Sequence, residues 1–386
     1  MTEHADSLRL AWLADRFRAQ ATLGLHYRPD RFDRERFTRL RRHAAELASL
    51  IYPRDVDAIE ESFSTDSGIH TPKAAVALYI KCADGARLWR TFLLEPGRLL
   101  PDELKAAAVR IAAAGPGRPV GLTDSRVLGL PDPHTYLAIY RTTSSLTRAE
   151  LRGVWPTPDT AIQRPFTGIS PASIPALPRQ IDERPVIVSP VVAAICRDIV
   201  EIAEEGVLET ADPYNVERFE QLGALAANIT VEPIGYRRFG PFELHPSAAA
   251  TGTEIAIRDE IGRVLLIQRS DTGQWAIPGG ACEVGEGWAV TAVREAREEI
   301  GLGLDAADLA LVDVFDNRAI TSEPTTIPVI AVFSMNLKTS GRTVTWNREV
   351  ADTAWVTLPD LKDLDLFRGH RTKITAALQP TDEPRA

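Results

Sequence analysis

The residues best placed to do chemistry lie in one short stretch, 280 to 302, GACEVGEGWAVTAVREAREEIGL. Its second half has helical composition, and in a helix residues three and four apart share a face. Glu295, Glu298 and Glu299 therefore point the same way, with Arg294 one turn before Glu298. Three neighbouring carboxylates repel each other, and their pKa values rise unless a cation holds them together. Hard oxygen donors in that number suit Mg²⁺ or Mn²⁺. The Gly279-Gly280 pair can bring a bare backbone carbonyl to the same ion, and Gly301 is placed to cap the helix. The chain carries a net charge of -9, so an anionic substrate must be met by local positive charge or by a metal. A divalent ion neutralises a diphosphate, polarises phosphorus and acidifies a water for in-line attack on the P–O–P link. Alone, EAREE reads as the solvated face of an acidic helix; its fixed spacing from a glycine loop is what argues for chemistry.

That spacing resembles the Nudix box at Gly280, Glu286, Arg294, Glu295, Ala296, Glu298, Glu299, Gly301 and Leu302, and the preceding WAIPG, 275 to 279, is the family's usual lead-in. The resemblance implies a metal held by Glu295, Glu299 and usually Glu298, with the Gly280 carbonyl beside them, and Arg294 and Glu286 bracing the helix. It also implies a general base from outside the box. Glu349, six residues before Trp355, is the first candidate and Glu323 the competitor, because the position of the base varies in this family. Arg269 and Arg318 are candidates for gripping phosphate, and Phe315 for stacking on a base or sugar.

A chain of 386 residues suits two or three domains. Average apolar and charged content argues against disorder, and the longest apolar runs fall far short of the roughly 20 residues that span a bilayer. The N-terminus has no basic segment followed by an apolar one, so a cytoplasmic protein is expected. Three widely spaced cysteines, Cys82, Cys196 and Cys282, speak against a disulfide framework or a zinc site.

The chain also resembles itself. Shifted by 182, residues 21–45 fall over 203–227 with identities at Ala21/Ala203, Gly24/Gly206, Asp30/Asp212, Glu35/Glu217, Arg36/Arg218, Phe37/Phe219, Leu40/Leu222, Ala44/Ala226 and Ala45/Ala227. Each copy reads as an amphipathic helical hairpin whose apolar face needs a partner, and the natural one is the other copy or the body of the following domain. The expected organisation is a hairpin over 1–55, a degenerate Nudix-like or other α/β unit over 56–151, and a Pro-rich linker over 152–190. A second hairpin over 191–235, a catalytic α/β Nudix domain of mixed sheet between helices over 245–378 and a tail over 379–386 complete it. The first unit keeps no box: a shift of 184 sets Val109-Arg110 over Val293-Arg294, but Ile111, Ala114 and Gly115 stand where Glu295, Glu298 and Glu299 should be. The arginine-rich RFDRERFTRLRR, 31–42, reads as a solvated face or inter-unit salt bridges, since Asp33 and Glu35 interleave. GPGRPVG, 115–121, lacks the Lys-Ser/Thr of a phosphate loop and reads as a turn.

The hairpins resemble the N-terminal region of the Nudix branch that cuts nucleoside diphosphates linked to another group, such as ADP-ribose or CDP-choline. The expected reaction is hydrolysis of that diphosphate to a nucleoside monophosphate and a phosphorylated remainder, with no nucleic-acid or membrane partner, by a monomer acting as an internal pseudo-dimer or by a homodimer. Two rivals stand beside it: a nucleoside triphosphate sanitiser, and a nucleotide-sugar sensor that binds without turnover.

Overall fold

A computed structural model describes residues 2–65, 69–95, 97–115, 117–125, 128, 134–156, 185–239, 249–337 and 344–379. The first half opens on a hairpin of α1 (Thr2–His26) and α2 (Arg31–Ser49), the latter capped by the Asp30 carboxylate on Asp33 N–H. Next come α3 (Val56–Ser64), β1 (Lys73–Lys81), β2 (Arg87–Leu93), α4 (Leu100–Arg110), β3 (Pro119–Asp124), β4 (Thr135–Thr143) and α5 (Arg148–Val154). The second half runs through β5 (Val186–Val188), the hairpin α6 (Pro190–Glu209) and α7 (Pro213–Ala227), then β6 (Ile229–Val231), β7 (Thr251–Arg258) and β8 (Val264–Arg269). Short β9 (Trp275–Ala276) and β10 (Gly279–Ala281) lead to α8 (Trp288–Ile300), followed by β11 (Ala310–Asp316), α9 (Asn317–Ile320), β12 (Val329–Asn336), β13 (Val350–Val356) and α10 (His370–Leu378).

The two sheets share a wiring. In the first the order is β2-β1-β4-β3, with β1 parallel to β4 and both outer pairs antiparallel. In the second, β8-β7-β12-β11 repeats that order and those directions, and β13 extends it beside β8. α4 and α8 hold the same place, after the second strand of the four. One apolar core joins the halves: Val76, Leu78, Ile80, Tyr136 and Tyr140 of the first sheet cluster with Ile255, Ile257, Trp288, Ala292 and Ala296.

The four hairpin helices form a separate core around Phe17, Phe37, Ile199 and Phe219. Residues 182 apart meet there. Phe37 and Phe219 stack with ring centroids 4.7 Å apart and planes 7° from parallel, and Asn215 Nδ2 donates to Asp33 Oδ2 at 2.8 Å. Gly24 faces the Phe37 ring and Gly206 faces Phe219. Equivalent residues that touch each other are the signature of a twofold axis. Arg36 bonds Asp33 and reaches Glu205 and Glu209, and Arg39 pairs with Glu205, so the arginine-rich helix spends charge on the other hairpin.

Some elements differ from the expectation. Residues 119–124, in part read as a turn, form edge strand β3, where Pro119 opens the strand without costing a ladder hydrogen bond. α5 occupies 148–154 through a Thr147/Glu150 capping box, so regular structure runs into the expected linker. The linker's centre, 157–184, and the tail from 380 lie outside the described residues. Among the described residues no helix is long and apolar enough to cross a membrane, and all three cysteines are buried as free thiols.

The hairpin core makes a test. A Cβ at position 206 would strike the Phe219 ring, so Gly206→Ala should destabilise by ~1–3 kcal/mol, although alanine is the better helix former by about 1 kcal/mol. Phe219→Ala should cost ~3–5 kcal/mol. Urea unfolding measures both; a stabilised Gly206→Ala would show that α6 and α7 are not packed in this way.

Candidate active site

α8 buries Trp288, Ala292, Ala296 and Ile300, which recur every four residues, and this fixes its rotation against the core. The helix stops at Gly301, which takes the left-handed conformation (φ 67°) that a side chain would resist, and a Cβ there would also strike Thr345 Oγ1. With that rotation fixed, the box carboxylates gather around one guanidinium. Arg294 Nε donates to Glu286 Oε1 at 3.0 Å and Nη1 to Glu298 Oε2 at 2.8 Å. Nη1 also lies 2.9 Å from Glu295 Oε1, and Nη2 donates to the Ala281 carbonyl at 3.1 Å. Thr291 Oγ1 donates to Glu286 at 2.8 Å, so Glu286 is held from two sides.

One guanidinium cannot neutralise this many acids. Burial pushes the Glu295 carboxyl up to about 7; Arg294 opposes the shift, while the charges of Glu298 and Glu286 add to it. Glu299 is pushed well above the usual carboxylate range by burial and then by Glu295, with Glu349 adding and the Gly279 N–H, donated at 2.9 Å, opposing. Glu283, also pushed up by burial, adds a further acid to the group.

The donor set suits a hard divalent cation. Gly280 supplies the room: a Cβ there would stand 2.6 Å from Glu295 Oε1, so the glycine leaves a cradle between loop and carboxylate. Among the described residues no three acidic, histidine or cysteine side chains already converge as a cage, because Glu298 is drawn onto Arg294 and Glu299 onto the Gly279 amide.

Beside Gly279 and Gly280 opens a cleft of about 360 Å³, in the size range of small-molecule sites. Arg269, Arg368, Phe367 and, from the first half, Tyr27 line it. The Arg269 guanidinium lies over the Phe367 ring at 4.5 Å and is paired with Asp271. The first half also grips the box loop. His134 Nδ1 accepts from Gly285 N–H at 3.1 Å, and Tyr136 Oη donates to the Glu286 carbonyl at 2.9 Å and meets Trp288 edge-on.

Glu286, Arg294, Glu295, Glu298, Glu299 and Gly280 thus come together, and Arg269 borders the cleft. Glu349 is exposed at the entry to β13, its carbonyl bonded to Ser270 N–H, close enough for its charge to act on Glu299. Glu323 is paired with Arg368 on the cleft rim. Phe315 packs into the core under β11, and Arg318 is held by Asp316 and the Arg98 carbonyl; neither borders the cleft. Sequence reading missed Glu254, His370 and Lys373 at the cleft floor. One trace was available: Glu254 puts a charge directly before the apolar run 255–257 of its strand.

The family profile described as "NUDIX domain" matches residues 250–378, the segment just described, and one described as "UDP-X-like, N-terminal oligomerisation domain" matches 9–63. A nucleoside triphosphatase NudI of Enterobacter sp. (strain 638) is 33% identical over 106 residues, 27% of this chain and 75% of that protein. The chain belongs to the Nudix hydrolase family. A putative ADP-ribose pyrophosphatase YjhB of Bacillus subtilis (strain 168) is 27% identical over 148 residues, 36% of this chain and 69% of that Nudix relative. The crystal structure of a UDP-X diphosphatase aligns at 19% identity and a TM-score of 0.38, covering 49% of this chain and 93% of that one. In the first half, where a second Nudix box would lie, α4 ends at Arg110 and Ile111 is fully buried in the shared core.

If the bare Gly280 is what lets Glu295 work, Gly280→Ala should lower turnover by about a hundredfold, the scale of an ångström misplacement in a site. Its unfolding midpoint should stay within a few degrees of wild type. Steady-state rates and a thermal melt together read this, and undiminished turnover would show that the cradle is not used.

Proposed function

We propose that this chain is a metal-dependent Nudix pyrophosphatase that cuts the diphosphate of a nucleoside diphosphate linked to a second group, releasing a nucleoside monophosphate and a phosphorylated remainder. The observation that carries the reading is a pair of carboxyls, Glu299 buried and Glu295 largely so, set against a bare glycine loop at the end of a cleft bordered by arginines and aromatic rings. Glu295 and Glu299, with Glu298 and the Gly280 carbonyl, would hold Mg²⁺ or Mn²⁺. Once bound, the ion supplies charge neutralisation of the diphosphate and a more acidic water.

The protein's own groups do the rest. Arg294 and Glu286 brace the box loop against the helix and so hold the direction of the carboxylates. Glu349, free of the box and close to Glu299, is the candidate to take the proton from the attacking water, with Glu323 in reserve. Arg269 and Arg368 offer guanidinium groups to the phosphates. Phe367 and Tyr27 offer ring faces to a base or sugar.

We further infer that the first half is a degenerate copy of the same unit, retained as the second member of a pseudo-dimer within one chain. The repeated sheet wiring and the contacts between residues 182 apart support this. The contacts of His134 and Tyr136 with the box loop give that half a task without a metal of its own.

A second reading, hydrolysis of nucleoside triphosphates, has the NudI relatives in its favour. A screen over ADP-ribose, CDP-choline, UDP-sugars, dinucleoside polyphosphates and nucleoside triphosphates, read by mass spectrometry, separates the two. The expected outcome is release of a monophosphate from a linked diphosphate, abolished by chelation and reduced about a thousandfold in Glu299→Gln. Turnover of triphosphates alone would favour the second reading, and full activity after chelation would overturn both.

A further inference from the structure

The cleft has a floor that the metal site does not use. Glu254, on β7, turns its side chain to the face opposite α8's core contacts, and that side chain is only 9% exposed. Lys373 of α10, wholly buried, donates from Nζ to Glu254 Oε1 at 2.5 Å and to Asn317 Oδ1 at 3.2 Å. His370 Nδ1 accepts from Ile277 N–H at 3.2 Å, which leaves the ring proton on Nε2, 3.4 Å from the same Glu254 oxygen. Burial holds that ring well below the usual histidine range, so it stays neutral. Burial also pushes the Glu254 carboxyl up, and Lys373 works against that shift.

Oε1 is therefore crowded with donors, while Oε2 is buried with no hydrogen-bond partner among the described residues. A buried acceptor left unmade costs free energy, and such atoms in native sites call for an explanation. Here all four side chains line the cleft, together with the apolar Ile277 and Ile327. A cleft floor with a buried acceptor that has no partner among the described residues, set near Ile277 and Ile327, suits a planar or hydroxylated group that brings one N–H or O–H.

Resting on the pyrophosphatase reading, we propose that Glu254 is a specificity-determining residue: its Oε2 accepts a hydrogen bond from a donor on the bound nucleotide, and Lys373 holds it in register. The donor can be an amino group of the base or a hydroxyl of the sugar. Both are the same chemistry at this oxygen, and they are separable.

The substitution Glu254→Gln makes the sharper test, because with Lys373 donating to the amide oxygen the NH₂ takes the place of Oε2. An acceptor becomes a donor. Binding of CMP, UMP, AMP, IMP and the 2′- and 3′-deoxy forms of the better binder is measured by calorimetry without metal. The wild type should prefer an amino base to its keto counterpart, or a ribose to its deoxy form, by on the order of tenfold to a hundredfold. Glu254→Gln should lose that preference, and in the base arm reverse it. The double variant Glu254→Met/Lys373→Met removes both charges together, which avoids an unpaired buried ammonium, and should bind without discrimination in any arm. The same discrimination in wild type and variants, or no binding of these nucleotides to the wild type, overturns the assignment. Should the wild type hydrolyse a linked diphosphate while the variants discriminate as it does, the role of Glu254 falls and the proposed reaction stands. Should discrimination change while no substrate is cleaved, the reverse holds.

Discussion

The site depends on a shortage of positive charge around Arg294. One guanidinium serves Glu286, Glu295, Glu298 and a backbone carbonyl, while Glu299 accepts from the Gly279 amide and feels the charge of Arg269 from further off. Buried acids so close together are unstable without compensation, and either protons or a cation must supply it. The rest of the fold serves to keep that imbalance in place. The apolar stripe of α8 sets the helix rotation, Gly301 ends the helix, and the glycine loop brings backbone to the carboxylates without a side chain in the way.

The first half makes sense under the same constraint. A loop carrying Gly285 and Glu286 must hold its shape while the charge beside it changes, and contacts from another body stiffen it. His134 and Tyr136 make those contacts from a sheet with the same wiring as the catalytic one. On the proposed duplication, fully buried Ile111, which packs into the shared core, stands where the catalytic unit has Glu295. An acid there would face apolar neighbours at a cost of several kcal/mol.

Much of this was legible in the sequence, for reasons that can be named. The box was legible because a metal-binding helix face demands fixed residue types at fixed spacing, from Gly280 to Leu302. The hairpins were legible because Gly24 and Phe37 recur as Gly206 and Phe219, and their packing explains the recurrence: each glycine makes room for its phenylalanine, and the two rings stack. Less legible were contacts set by tertiary approach. Phe315 and Arg318 look suited to gripping substrate, yet register turns one into the core and a neighbouring Asp316 holds the other. Glu254 and Lys373 lie 119 residues apart and meet only when α10 packs against the sheet beside β11 and β12. β3 was hidden by its Pro119 and Gly121, residue types that edge strands tolerate better than central strands do.

The central claim is that the α8 carboxylates are incomplete without a divalent cation, and the most direct measurement is the unfolding free energy as a function of Mn²⁺. A ligand that binds only the native state stabilises it, by about 2.7 kcal/mol at a hundred times its dissociation constant. The account predicts a saturable rise in stability for the wild type and none for Glu295→Gln/Glu299→Gln, which should itself be no less stable than the metal-free wild type. An equal rise in both proteins, or none in either, would contradict it.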